Sequence, residues 1–276
     1  MNRVSVIIPT WNRAETLVTA VNSALNQTYP VFEVLVCDDG STDHSKECIA
    51  SISDNRVRWI DCGRNGRPAI PRNIGIKESK GDWIAFMDSD DCWFAQKIEK
   101  QMKAAKENPG CLAVSSNATI VYANHEKSKP FHSITETTFK FEDLISCNFI
   151  ICSSVLIHRS ILEKSGLFPE SEQFKAIEDY MLWLKIAAYT EWFYLKEPLL
   201  NYLDNPNQSI RADDIGPWHQ RKIILSELMK WLEQQGTNVP SLYKKIVKKE
   251  LLLSYFKTSK NIGTQLLYRF RYELNI

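Results

Sequence analysis

Residues 83–91 read WIAFMDSDD: five apolar residues run straight into Asp88, Ser89, Asp90 and Asp91. A short, unbroken apolar run that stops at charged residues reads as a strand covered on both faces, the kind found in parallel sheets. Its carboxylates then emerge at the C-terminal end, where open α/β sheets bind ligands. Alternate extended residues point to one side, so Asp88 and Asp90 can face a common site. Hard divalent ions such as Mn2+ or Mg2+ want oxygen donors of this kind with phosphates completing the shell, although such triplets also occur in plain surface turns. An apolar strand that buried its carboxylate end for no purpose would do so at real cost, which favours a site.

Upstream the same alternation repeats. Residues 4–8, VSVII, form a buried strand, and Asn12 with Glu15 has the spacing of a capping box opening a helix in which Leu17, Val21 and Leu25 recur at i+4. Residues 32–37 form a second strand, followed by DDGSTD and a helix to about residue 51. A third strand spans 57–60; a loop with Gly63, Gly66 and Pro68 then leads to a short helix carrying Arg72 and Asn73. Downstream, 94–107 is helical, 112–122 a strand, 123–138 a long loop, 155–158 a strand, 176–189 an amphipathic helix and 192–195 a strand. Helices are expected at 218–234, 241–257 and 262–273. Short strands alternating with helices predict an α/β fold with a mostly parallel central sheet flanked by helices, and a helical C-terminal extension.

Composition narrows the classes. With 276 residues, 44% of them hydrophobic and 24% charged, the chain can bury a core and is not a disordered or repetitive polymer. The seven cysteines, at 37, 48, 62, 92, 111, 147 and 152, are odd in number and never in a CxxC pair, which argues against a disulfide framework or structural zinc. The apolar run ending at Pro9 is too short for a signal-peptide core, and no stretch reaches the ~18 apolar residues of a membrane helix. The expectation is a cytoplasmic protein. Asn-X-Ser/Thr triplets at Asn26, Asn117 and Asn207 are then chance matches.

The net charge of +1 hides an asymmetry. Residues 1–216 carry 23 Lys and Arg against 29 Asp and Glu, whereas 217–276 carry 11 against 4. The expected division is therefore a mildly acidic main domain, 1–216, and a basic helical extension, 217–276. A mildly acidic main domain does not suit nucleic acid, and any anionic ligand there needs a metal or local donors. On a helical projection Leu242, Tyr243, Ile246, Val247 and Leu253 share one face, Lys244, Lys245, Lys248 and Lys249 the other, with Glu250 the one acid on the apolar side. Such a helix suits an anionic membrane surface, and equally it could pack its apolar face on the main domain.

Two further acidic pairs sit where chemistry would. Asp38 and Asp39 end the second strand; one of them could accept the imide N–H of a pyrimidine, or both could serve as turn and helix N-cap residues. Glu178 and Asp179 begin a helix, where they favour its dipole or supply a general base. Trp83, Trp183, Trp192 and Trp231 read as core, Trp93 as core or a stacking platform, and His158 as core or a residue lining a site. GxGxxG, GxxxxGK and HExxH fingerprints are all missing.

Taken together, VSVIIPTWN (4–12), VLVCDDGSTD (34–43), PRNIGIKESKGDWIAFMDSDD (71–91) and EDYMLWLKI (178–186), in that order and spacing, resemble glycosyltransferase family 2, over roughly residues 1–205. The resemblance implies the A-type, Rossmann-like glycosyltransferase fold and an inverting enzyme that takes one sugar from a nucleotide diphosphate, a UDP-sugar by preference. The acceptor it implies is a hydroxyl of a glycan or lipid-linked glycan, in bacterial-type surface polysaccharide synthesis at the cytoplasmic face of the membrane. Backbone around Pro9 and the ring of Trp11 would hold the base, with Asp39 accepting from it and Arg72 contacting the nucleotide. Asp88 matches the residue near the ribose, Asp90 the ligand of Mn2+ or Mg2+, and Asp179 the catalytic base, with Glu178 as its neighbour and fallback. The QxxRW box of the multi-span synthases is missing after Asp179, which speaks against processive polymerisation. Two rivals remain: an idle nucleotide-sugar-binding protein, against which Asp90 and Asp179 argue, and a sugar-nucleotide pyrophosphorylase, which would need a Gly-rich loop where VSVIIPTWN stands.

Overall fold

The computed structural model describes residues 2–122, 127–131, 133–134, 137–205 and 216–259. The chain divides into two compact units, Met1–Arg211 and Ala212–Ile276. In the first, β1 (Val4–Thr10) lies buried along its whole length between β2 (Glu33–Asp38) and β4 (Trp83–Phe86), with β3 (Val57–Asp61) outside β2, all parallel. Val4, Val6 and Ile8 turn to the side on which α1 (Ala14–Leu25) places Leu17 and Val21. Ile7 turns to the other, where α3 (Ala69–Glu78) comes so close that a β-carbon on Gly75 would sit 2.6 Å from the Ile7 side chain and 2.8 Å from the Cys37 sulfur. Only glycine fits there.

The sheet continues as β4–β9–β6–β10. Here β9 (Leu156–His158) runs antiparallel between β4 and β6 (Ala113–Tyr122), and β10 (Trp192–Asp204) pairs parallel to β6. The expected strand 192–195 is thus the start of a 13-residue strand that shifts register twice, around Pro198. Its second half pairs with β5 (Cys92–Trp93), which directly follows the acidic stretch. Within the expected loop 123–138, β7 (Lys127–Pro130) folds back antiparallel on β6. A two-residue β8 (Thr138–Phe139) pairs with the start of β10, and none of β5, β7 and β8 was expected. The helices α2 (Ser45–Ala50), α4 (Lys97–Glu107), α5 (Phe141–Leu144), α6 (Arg159–Ser165) and α7 (Glu178–Ala187) complete the unit; α5 and α6 were missed because each is under two turns.

In the second unit α8 (Pro217–Gln235) and α9 (Ser241–Ser259) are joined by a charge pair, Arg221 to Glu250 at 2.5 Å, which accounts for the lone acid on the apolar side of α9. The projected faces need correcting: Val247 is buried, but Leu242, Leu252 and Leu253 are exposed beside Lys245, Lys248 and Lys249. The helix expected at 262–273 lies outside the described residues. None of the described helices is long and apolar enough to cross a membrane.

Candidate active site

The parallel register brings the C-terminal ends of β1, β2 and β4 together: Thr10 lies opposite Asp38, and Ile7 opposite Phe86. Three loops leave from that edge, and side chains of the second support the first. Asn12 takes a positive φ of 50°, accepts from the Thr42 backbone at 2.8 Å, and donates its own N–H to Ser41 Oγ at 2.9 Å. The first N–H groups of α1 are likewise capped from the other loop, Arg13 N–H by Ser45 Oγ and Ala14 N–H by Asp43. The Asn12–Glu15 capping box therefore does not form: α1 has Arg13 as its N-cap, with no side-chain cap of its own. Residues distant in sequence supply better acceptors for the orphan donors of the first turn.

At the end of β2 the two aspartates do different work. Asp38 is a turn residue, accepting from the Ser41 backbone at 3.1 Å and from Ser41 Oγ at 2.5 Å. Asp39 accepts the backbone N–H groups of Asn65 and Gly66, each at 2.8 Å, and is paired with the Arg64 guanidinium. That guanidinium also lies over the exposed ring of Trp11, 4.1 Å from its centroid. Gly40, at φ 76°, makes room for this loop, because a β-carbon there would meet Arg64 Cβ at 3.0 Å. Pro9, in β1, is buried, and Trp11 follows at the rim. Arg64, which the sequence reading did not single out, thus joins Trp11 to Asp39, with Pro9, in β1, two residues before Trp11.

At the end of β4, Asp88 donates its N–H to Ser153 Oγ at 2.9 Å and accepts from Arg72 Nη2 at 2.7 Å. Arg72 is itself buried, and its Nη1 donates to Glu178 Oε1 at 2.7 Å. Glu178 is correspondingly buried and closed off. Asp179 remains partly open, its Oδ1 accepting from the Tyr180 N–H at 2.6 Å. Burial, and after it the negative charge of Glu178, push the Asp179 carboxyl up to about 7, with Arg72 pulling the other way. A carboxylate poised near neutrality suits a general base, whereas an arginine-bound one does not. The backbone just before this pair is also unusual, since Ala176 takes a φ of 65°.

Asp90 lies 3.6 Å from Arg13, and burial with the Asp88 charge raises its carboxyl. Asp91 is not a ligand candidate: it is buried and accepts the Leu203 N–H at 3.0 Å, tying β10 to the acidic loop. Among the described residues no group of three His, Cys, Asp or Glu forms a ready-made metal cage. The hard oxygens of Asp88 and Asp90, repelling each other in a half-buried place, fit a Mg2+ or Mn2+ that takes one or two carboxylates and completes its shell with phosphate and water.

Two aromatic expectations are decided by burial. Trp93 is no stacking platform: it is buried, donates its indole N–H to the Ser153 carbonyl at 2.9 Å, and has Lys97 Nζ 4.0 Å from its ring centroid. His158 pairs in register with Trp83, at the end of β4 away from Asp88, and its ring caps α6 and stacks edge-on against Trp83. Trp83, Trp183 and Trp192 are buried, and Trp231 only partly so. Arg13, Arg64 and Ser153 escaped the sequence reading, since nothing local distinguishes them; the glycines at 63 and 66 were the one visible sign that the Arg64 loop turns tightly.

Comparison with known proteins places this geometry in context. The sequence profile described as Glycosyl transferase family 2 matches residues 5–166. An uncharacterized glycosyltransferase of Rickettsia felis is 38% identical over 191 residues, which are 67% of this chain and 30% of that protein. This chain therefore spans less than a third of the length of that relative. The Escherichia coli UDP-Glc:alpha-D-GlcNAc-diphosphoundecaprenol beta-1,3-glucosyltransferase WfgD is 33% identical over 187 residues, 66% of this chain and 69% of its own. Among solved structures, S. aureus TarS 1–349 in complex with UDP-GlcNAc superposes with a TM-score of 0.73 at 19% identity, covering 95% of this chain and 77% of that one, a likeness of fold.

Proposed function

From the premise that this chain belongs to glycosyltransferase family 2, we propose that it transfers a single sugar, with inversion, from a UDP-sugar to a hydroxyl of a lipid-linked glycan in surface polysaccharide synthesis. The observation that carries the reading is the contrast between two adjacent carboxylates: Glu178 is held by Arg72, and Asp179 is raised to about 7 and left accessible. The activity for which the E. coli relative WfgD is named, from UDP-Glc to a diphosphoundecaprenol-linked acceptor, supports the donor and acceptor classes.

In the proposed reaction the uracil stacks on Trp11 and donates its imide N–H to Asp39, while the ribose and diphosphate run toward Asp88 and Asp90. Asp179 takes the proton of the acceptor hydroxyl as its oxygen attacks the anomeric carbon from the face opposite the diphosphate. The bond from that carbon to the diphosphate oxygen breaks, and the electron pair leaves with UDP. A Mn2+ or Mg2+ ion held by Asp90, with Asp88 beside it, would neutralise the charge gathering on the departing diphosphate. Arg72 holds Asp88 and Glu178 in place through its two hydrogen bonds and so acts as a positioning residue. Lys245, Lys248 and Lys249, interleaved on α9 with exposed Leu242, Leu252 and Leu253, supply a surface suited to an anionic membrane, where a lipid-linked acceptor resides.

The test is a donor-hydrolysis screen of UDP-, GDP- and dTDP-sugars with Mn2+ and with Mg2+, scored by released nucleotide. Metal-dependent release from a UDP-sugar is expected; release from none of the three classes would overturn the reading.

A further inference from the structure

Arg64 lies half exposed against Trp11 and Asp39, and its position is informative. A uracil ring bound there would need two things: the face of Trp11 to stack on, and an oxygen of Asp39 to receive its N–H. The Arg64 guanidinium is a planar group with N–H donors at its edge, and it already takes both. It lies 4.1 Å from the centre of the Trp11 ring, too near for a base to slip between, and it donates to Asp39. We propose that Arg64 is a self-occupant of the base subsite, a covering side chain that the incoming nucleobase must displace, and that it thereby lowers nucleotide affinity. This rests on the nucleotide-sugar reading above.

The surroundings allow the displacement without unmaking the loop. The Asn65 and Gly66 backbone N–H groups hold Asp39 at 2.8 Å independently of the Arg64 side chain. Asn65 further ties the loop to itself through the carbonyls of Cys62 and Gly63, at 2.9 and 3.0 Å. The Arg64 side chain is half exposed, so the space it swings into is solvent. When the base enters, Asp39 exchanges one charge-assisted donor for the imide N–H and keeps its two backbone bonds, so its carboxylate is never left bare. The net cost of entry is the lost stacking of Arg64 on Trp11 and its exposed charge pair, contacts of modest strength.

An occupant of this kind reduces apparent affinity by the fraction of protein in which the subsite is open. That cost is common to every ligand whose base enters, whatever lies beyond the base. Arg64→Ala should therefore tighten UDP and UMP by the same factor, about 3- to 10-fold. Arg64→Lys, which keeps the charge opposite Asp39 but loses the planar stack, should fall between the two. The experiment is isothermal titration of UDP and UMP, with Mg2+ present, into the full-length wild type and both variants, after circular dichroism has shown equal folding. Unchanged or weaker UDP binding by Arg64→Ala overturns the proposal, and so does a change confined to UDP, which would make Arg64 a diphosphate contact. Absence of UDP binding in wild type and variants alike would overturn the nucleotide-sugar reading, and this proposal with it.

Discussion

Arg72 on α3 spans the gap between Asp88 at the end of β4 and Glu178 at the start of α7, 2.7 Å from each, and is itself almost wholly buried. One guanidinium thus bridges two carboxylates that lie 90 residues apart in the chain. Glu178 Oε2 and Arg72 Nε are buried with no protein partner, which marks the bridge as satisfied only in part.

Breaking that bridge should be expensive. Arg72→Met leaves Asp88 and Glu178 unpaired in a place with little water, and removal of one member of a buried ionic network costs about 3–5 kcal/mol. Urea denaturation should show the midpoint falling accordingly with the slope unchanged. A loss under about 1 kcal/mol would mean that the bridge contributes little to stability.

Transfer should rise with pH. The Asp179 carboxyl is lifted to about 7, so its basic form accumulates as pH climbs through that value, and turnover should increase up to tenfold per unit below it and level off above. Glu178→Gln removes the second largest cause of the shift, so the rising limb should move to lower pH. Asp179→Asn should keep UDP binding and lose about 10²- to 10⁴-fold in rate. A flat profile between pH 5.5 and 8, or an active Asp179→Asn, would assign the base elsewhere.

Asp90→Ala should fold normally, since the residue sits at the cleft and its visible partner is Arg13 at 3.6 Å. The variant should lose the difference in UDP affinity with and without Mn2+, together with at least 10-fold of the activity. Titration of UDP with Mn2+ and with EDTA reads this directly; a preserved metal effect would remove Asp90 from the metal site.

On α9, reversing Lys245, Lys248 and Lys249 to Glu should release the protein from anionic liposomes. Each basic residue near such a surface contributes about 1 kcal/mol, so the partition should drop by at least 100-fold in a sedimentation assay. Neutral liposomes should bind neither form. Binding that ignores the substitutions and added salt would make the lysines a solvated surface and no more.

What the sequence determined by itself was the framework and the kind of chemistry. The runs that became β1, β2 and β4 are mostly apolar, and each is followed within a few residues by the carboxylates or turn residues it presents, so strand and candidate site were written in the same ten residues. Parallel order at the centre of the sheet follows from helices interposed between strands. Everything that depends on partners distant in the chain was invisible. The second half of β10 exists because β5 and β6 pair with it, the Asn12–Glu15 box gave way to acceptors from the Ser41–Ser45 turn, and Trp93 sank beneath Lys97. The same holds within the site. Local pattern named Glu178 and Asp179 as a pair, but only folding separates them, by burying one against Arg72 and leaving the other partly open. Only folding, too, lays Arg64 on Trp11. Proton affinity and side-chain occupancy depend on solvent exclusion and on charges a few ångströms away, and neither quantity exists until the chain has closed around them.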